Sequence, residues 1–119
     1  MYPCETNVEM RGVWRVNLPG PCLDDLQVAE LRHTLQRGHS AGVRGVVVDM
    51  QRIDRIAPLG LAGLAMLPGH CPSPTRLALA SLQPRILEIA LHVHLHDILD
   101  IYEDARAAEF DMATPLGLS

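Results

Sequence analysis

Val46-Val47-Val48-Asp49-Met50-Gln51-Arg52-Ile53-Asp54-Arg55-Ile56-Ala57-Pro58-Leu59-Gly60-Leu61 decides how this chain is read. Three successive valines predict a strand buried on both faces, because β-branched side chains suit the pleat and no position is left to face water. Asp49 ends that strand and a short connector follows. Pro58 then opens an apolar helix, at a position where the missing N–H would have had no partner anyway. No Ser, Thr, Cys or His stands where this helix begins, so whatever reads the junction meets hydrocarbon.

Working outward, Gly12 to Leu18 alternates apolar and polar residues and stops at Pro19-Gly20-Pro21, which predicts a strand closed by a turn. Asp24 and Asp25 mark the N-cap and first turn of a helix whose apolar positions are Leu26, Val28, Ala29, Leu31 and Leu35, with Gly38 as its C′ residue. The central strand is expected over Val43–Asp49 and the apolar helix over about Pro58 to Leu67. Pro68-Gly69 ends that helix, and His70-Cys71-Pro72-Ser73-Pro74 forms a rigid loop. Arg76–Ala80 reads as a third strand. Pro84 starts another helix on Ile86, Leu87, Ala90 and Leu91, and a last helix is expected near Glu103 to Phe110. Strands alternating with helices predict a single α/β domain: a mostly parallel central sheet of about four to five strands with helices packed on it. Its expected span is 12–111, preceded by a segment 1–11 with room for an edge strand and followed by a tail, 112–119, expected to fray.

Composition narrows the function. The 119 residues are 48% hydrophobic but only 3% aromatic, so the core is aliphatic. A net charge of −4 offers phosphate no clustered basic surface, which argues against nucleic acid. All ten basic residues are arginine, which excludes a lysine nucleophile. Cys4, Cys22 and Cys71 are odd in number and share no metal-like spacing, as expected of free thiols in a reducing compartment. No signal-like N-terminus and no apolar run near the ~20 residues of a membrane span are present, so a cytoplasmic protein without membrane insertion is expected. Ser81, Cys71 and the histidines do not sit in a nucleophile motif, and Pro19-Gly20-Pro21 has too few free amides to cradle phosphate; no enzyme and no cofactor is expected. His92-Val93-His94-Leu95-His96 is the cluster that invites a metal, with Asp97 and Asp100 nearby. The segment is short and has no second ligand group of recognisable spacing, so surface histidines, and no metal site, are expected.

The order of elements, with Gly20-Pro21-Cys22-Leu23-Asp24, Val48-Asp49-Met50 and Gly60-Leu61 as landmarks, resembles the STAS domain from about Val13 to Ala108. That is the fold of bacterial anti-sigma factor antagonists and of the cytoplasmic tails of sulfate transporters. In the family, a Gly-x-Leu-Asp type turn precedes the first helix; here one residue more is present. Seven residues after the central strand's Asp, the family carries Asp-Ser-Ser-Gly-Leu; here the same count from Asp49 gives Ala57-Pro58-Leu59-Gly60-Leu61. In the phospho-switched members a Ser of this motif is phosphorylated by a partner kinase. Pro58 and Leu59 occupy those positions and carry no hydroxyl, so no phosphorylation is expected there.

The resemblance implies a non-enzymatic protein–protein interaction module of anti-sigma antagonist type, with Asp54, Arg55, Ala57, Pro58, Leu59, Gly60 and Leu61 as partner-binding residues. The implied partner is an anti-sigma factor or kinase. Two alternatives stay open: a small cytoplasmic subunit of a lipid-type membrane transporter, bound to its ATPase, and a small-ligand sensor. From Pro58 to Leu67 the helix has no polar side chain, so something is expected to cover its outer side. Burial under its neighbours, docking of a partner or a second copy of the chain, and a lipid pocket are the three readings. Gly60 and Gly63 would admit another backbone. Arg52, Asp54 and Arg55 would serve as a polar rim or as ordinary solvated loop charges.

Overall fold

The computed structural model describes residues 5–8, 12–70 and 75–113, with side-chain surroundings left aside at 5–8 and 70. The central sheet runs in the order β1 (Glu5–Val8), β2 (Val13–Asn17), β4 (Gly45–Asp49), β6 (Arg76–Ala80), β7 (Asp100–Tyr102). The last four are parallel, and β1 lies antiparallel on β2. A two-residue ribbon, β3 (Cys22–Leu23) beside β5 (Arg55–Ile56), sits apart from this sheet. The helices are α1 (Asp25–Ser40), α2 (Pro58–Met66), α3 (Pro84–His92) and α4 (Ala105–Ala113). An α/β fold with a mostly parallel sheet is therefore what the sequence encodes.

The valine run has the role its pattern implies. All five residues of β4 are buried: Val46 and Val48 face one cluster, Val47 the other. The first cluster gathers Val28, Leu31 and Leu35 of α1, Leu64 of α2, and Ile86 and Ala90 of α3 against that side of the sheet. The second is thinner, built from Val13, Val47, Ala78 and Ala80 under Ala105, Ala108, Met112 and Ala113 of α4. Small side chains on both partners let α4 lie close to the strands. Even so, a methyl group at Gly45 would meet the Met112 sulfur at 2.5 Å. A bidentate pair, Arg15 Nε and Nη2 donating to Glu109 at 2.9 and 2.8 Å, ties α4 to β2.

Several local expectations change. Asp24 does cap α1, its carboxylate accepting from Gln27 N at 2.9 Å. Gly38, however, lies inside α1, where Trp14 and Val43 pack against it, and the glycine with positive φ beyond the helix is Gly42. Leu26 and Ala29 leave the core: Leu26 is 72% exposed because Val28, Leu31 and Leu35 form the face that meets the sheet. The central strand starts at Gly45, later than Val43, whose N–H bonds Gly38 O. α2 stops at Met66 and a 3-10 turn, Leu67–His70, follows; Cys71 to Pro74 of the expected rigid loop lie outside the described residues. α4 extends to Ala113 with Met112 buried, two residues into the segment expected to fray.

Candidate functional site

The β4–α2 corner is fastened by its backbone. Asp49, 5% exposed, turns the chain by accepting from Gln51 N at 3.0 Å. Met50 N bonds Ala80 O at 2.9 Å, and Ile53 N returns to Met50 O at 3.0 Å with its side chain fully buried. The connector then rests on the 19–23 turn: Asp54 N and Arg55 N both donate to Pro21 O, at 2.8 and 3.2 Å, and Ala57 N donates to Leu23 O at 2.9 Å. Gly20 has φ +66°, and a methyl group there would lie 2.2 Å from the Arg52 carbonyl oxygen. Only glycine supports both that backbone and that approach.

α2 begins with no side-chain cap. Ala57 occupies the N-cap position, Pro58 follows it, and Leu61 N closes the first turn on Ala57 O at 2.9 Å. Among the seven residues expected to bind a partner, Asp54, Arg55, Pro58 and Leu59 are exposed, Ala57 and Leu61 are half-buried, and Gly60 is buried. Asp54 and Arg55 pair with each other at 3.2 Å while staying largely in water, which adds little stability.

The two glycines of α2 do not admit a foreign backbone. A methyl group at Gly60 would lie 2.2 Å from Leu23 O, and one at Gly63 would lie 2.7 Å from a Val28 methyl. Both serve close packing within the chain, Gly60 on β3 and Gly63 on α1. What α2 turns outward is Leu59, 65% exposed, then Ala62 and Met66, 63% exposed. Spaced three and four apart, they form one stripe along the helix. Neighbours therefore bury one side of α2 and leave the other open. Ala62, Ala65 and Met66 were not among the expected partner residues, although the unbroken apolar run signalled them. Leu26 is exposed as well. It lies in the first turn of α1, which starts beside α2, since the Asp24 backbone abuts Gly60.

A different arrangement occupies the β7 side of the sheet. Leu82, Pro84, Leu87, Leu91, His96, Ile101, Tyr102 and Glu103 line a half-open groove of about 570 Å³. Arg76 Nη2 donates to Asp100 at 3.3 Å and lies 3.7 Å from Asp111, which also accepts from the Tyr102 hydroxyl. Partial burial and the neighbouring Asp111 carboxylate raise the Tyr102 phenol above its ordinary value. The Arg15 guanidinium is likewise held more firmly in its charged form, chiefly by Glu109.

The histidines do not alternate along an extended segment. His92 ends α3, His94 adopts the left-handed conformation, and His96 lies in a 3-10 turn, Leu95–Asp97. This brings His94, His96 and Asp97 together and leaves His92 and Asp100 outside the group. Cys22 is a free, half-buried thiol; Cys4 and Cys71 lie outside the described residues. No helix among the described residues is long and apolar enough to cross a membrane.

No family model and no curated protein sequence matches the chain. Solved structures do. A STAS domain protein from Planctomyces limnophilus superposes with a TM-score of 0.76 at 17% identity, over 95% of this chain and 99% of that one. An anti-sigma factor antagonist from Mycobacterium paratuberculosis gives 0.75 at 18% identity, over 93% and 95%. A sulfate transporter family protein from Wolinella succinogenes gives 0.76 at 17% identity, over 89% and 88%. The likeness is one of fold: this chain has the STAS fold, which anti-sigma factor antagonists and sulfate transporter family proteins share.

Proposed function

We propose that this chain is a non-enzymatic protein–protein interaction module of anti-sigma factor antagonist type, working in the cytoplasm and docking through the outer stripe of α2. One observation carries the reading: Leu59 and Met66 are exposed on a helix with no polar side chain, although its packing within the chain is already complete at Gly60 and Leu64. A contiguous stripe of uncovered hydrocarbon is a common mark of an interface, and polar residues are its usual rim. Asp54 and Arg55 supply that rim beside Ala57, Pro58 and Leu59.

The same corner explains why such a module would act constitutively. A phosphate at a helix N-terminus is favoured by the unpaired amides and the helix dipole. Here Pro58 removes one amide, and neither Pro58 nor Leu59 has an oxygen to phosphorylate. The partner chemistry that fits is an apolar groove on an ATPase-fold anti-sigma protein. A small cytoplasmic subunit of a lipid-type membrane transporter, bound to its ATPase, is the second reading; that a sulfate transporter family protein has the same fold is compatible with it. Affinity capture from cells of the source organism, with identification of the captured chain, separates them. An anti-sigma ATPase supports the first reading and a transporter ATPase the second. A two-fold dimer of this chain, with no ATPase retained, would point to self-association instead.

A further inference from the structure

We infer that His94, His96 and Asp97 form a site for one divalent transition-metal ion of the zinc class. His94 Nδ1 lies 3.4 Å from Asp97 Oδ2, and His96 Nε2 lies 3.6 Å from Asp97 Oδ1. Both separations exceed the ~2.7–2.9 Å of a charge-assisted hydrogen bond. The first falls within, and the second just beyond, the spacing of two ligands on one tetrahedral zinc, about 3.3–3.5 Å for metal–ligand bonds of about 2.0–2.1 Å. All three ligand atoms lie within 4.8 Å of one another.

The ligands sit on a fastened support. Leu95, 2% exposed, and Leu99, 4% exposed, anchor the turn in the main core. His94 N bonds Leu91 O, Asp97 N bonds His94 O and Leu99 N bonds Leu95 O, at 3.0–3.1 Å. His94 adopts the left-handed conformation at φ +60°, a region that histidine enters more often than most residues. Two imidazoles and one carboxylate favour zinc, or cobalt in its place, over magnesium or calcium, which prefer oxygen alone. Three protein ligands leave a coordination position open for water or an anionic ligand. His96 also lines the apolar groove, so the ion would lie at its edge.

The test is isothermal titration of the untagged full chain with zinc chloride, with cobalt absorption spectra as a second readout. One ion should bind per chain in the micromolar range, and cobalt should give the intense visible bands of a tetrahedral site. His94→Asn, which keeps a residue tolerant of positive φ, and His96→Gln should each weaken binding about tenfold or more, given that even outer-shell changes cost ~10–100-fold. Their circular dichroism should match wild type, and His92→Gln should bind as wild type does. Weak multi-site uptake that His94→Asn and His96→Gln leave unchanged, an adventitious ion only, overturns the site. Loss of binding in His92→Gln overturns its composition.

Discussion

α2 and α3 are a matched pair that differ in one respect. Each is nine residues long, begins at a proline, lacks a side-chain N-cap, and sets its inner side into the same core cluster, through Leu64 in one and Ile86 and Ala90 in the other. Outward they diverge. α3 shows Arg85, Glu88 and His92 to water beside the apolar Pro84 and Leu91, whereas α2 shows only apolar residues: Pro58, Leu59, Ala62, Ala65 and Met66. Since α3 folds onto the sheet with charged residues among its exposed positions, an exterior of hydrocarbon alone, as on α2, is not a requirement of the fold. Docking of a partner, as proposed, would account for it.

The strongest way to break the comparison is at the inner sides, where the helices should behave alike. Leu64→Ala and Ile86→Ala each remove a fully buried side chain and should cost about 2–5 kcal/mol in urea unfolding. A much smaller loss at Leu64 would mean α2 is only loosely seated, and the contrast with α3 would fail. Gly60→Ala comes next. Its methyl would press on Leu23 O, and overpacking of this kind costs about 1–3 kcal/mol. An unchanged midpoint would show that β3 and α2 can separate without penalty.

Smaller effects sharpen the polar side of the account. Arg15→Ala or Glu109→Ala should destabilise by about 1 kcal/mol, as expected for a bidentate but partly solvated pair on α4. Tyr102→Phe tests the least of the effects. A phenol whose value is raised in the folded state adds stability below its unfolded value of about 10 and loses it as pH rises through the folded value. Wild type should therefore lose more stability than Tyr102→Phe between neutral pH and the alkaline range, measured by thermal melts. Parallel pH profiles would contradict that assignment.

How far the sequence could be read follows the range of the forces involved. Strands β2, β4 and β6 and the four helices were legible because hydrophobic period is a local property: Val46-Val47-Val48 and the Pro58 and Pro84 starts carry their own instructions, whereas β3, β5 and β7, two or three residues each, are too short to show one. The family's landmark positions then located the β4–α2 corner. What escaped depends on contacts across the fold. Gly38 looks like a helix end until Trp14 and Val43 are seen packed on it. Leu26 fits an apolar period, yet the turn of α1 against the sheet leaves it in water. Gly60 and Gly63 were read as room for a partner, but Leu23 and Val28 fill that room. The histidines could not be placed because a left-handed residue at His94 breaks the alternation that their spacing suggests.

Docking through α2 can be checked in one capture experiment on three proteins: wild type, Leu59→Asp and Leu91→Asp. Both substitutions place a charge on an exposed leucine of a nine-residue helix: Leu59→Asp, in the first turn of α2, should melt within about 0.5 kcal/mol of wild type, and Leu91→Asp, less exposed and in the last turn of α3, should stay folded while losing about 1 kcal/mol. Docking through α2 predicts that Leu59→Asp loses the captured ATPase partner while Leu91→Asp keeps it. Undiminished capture by a folded Leu59→Asp protein would contradict the account.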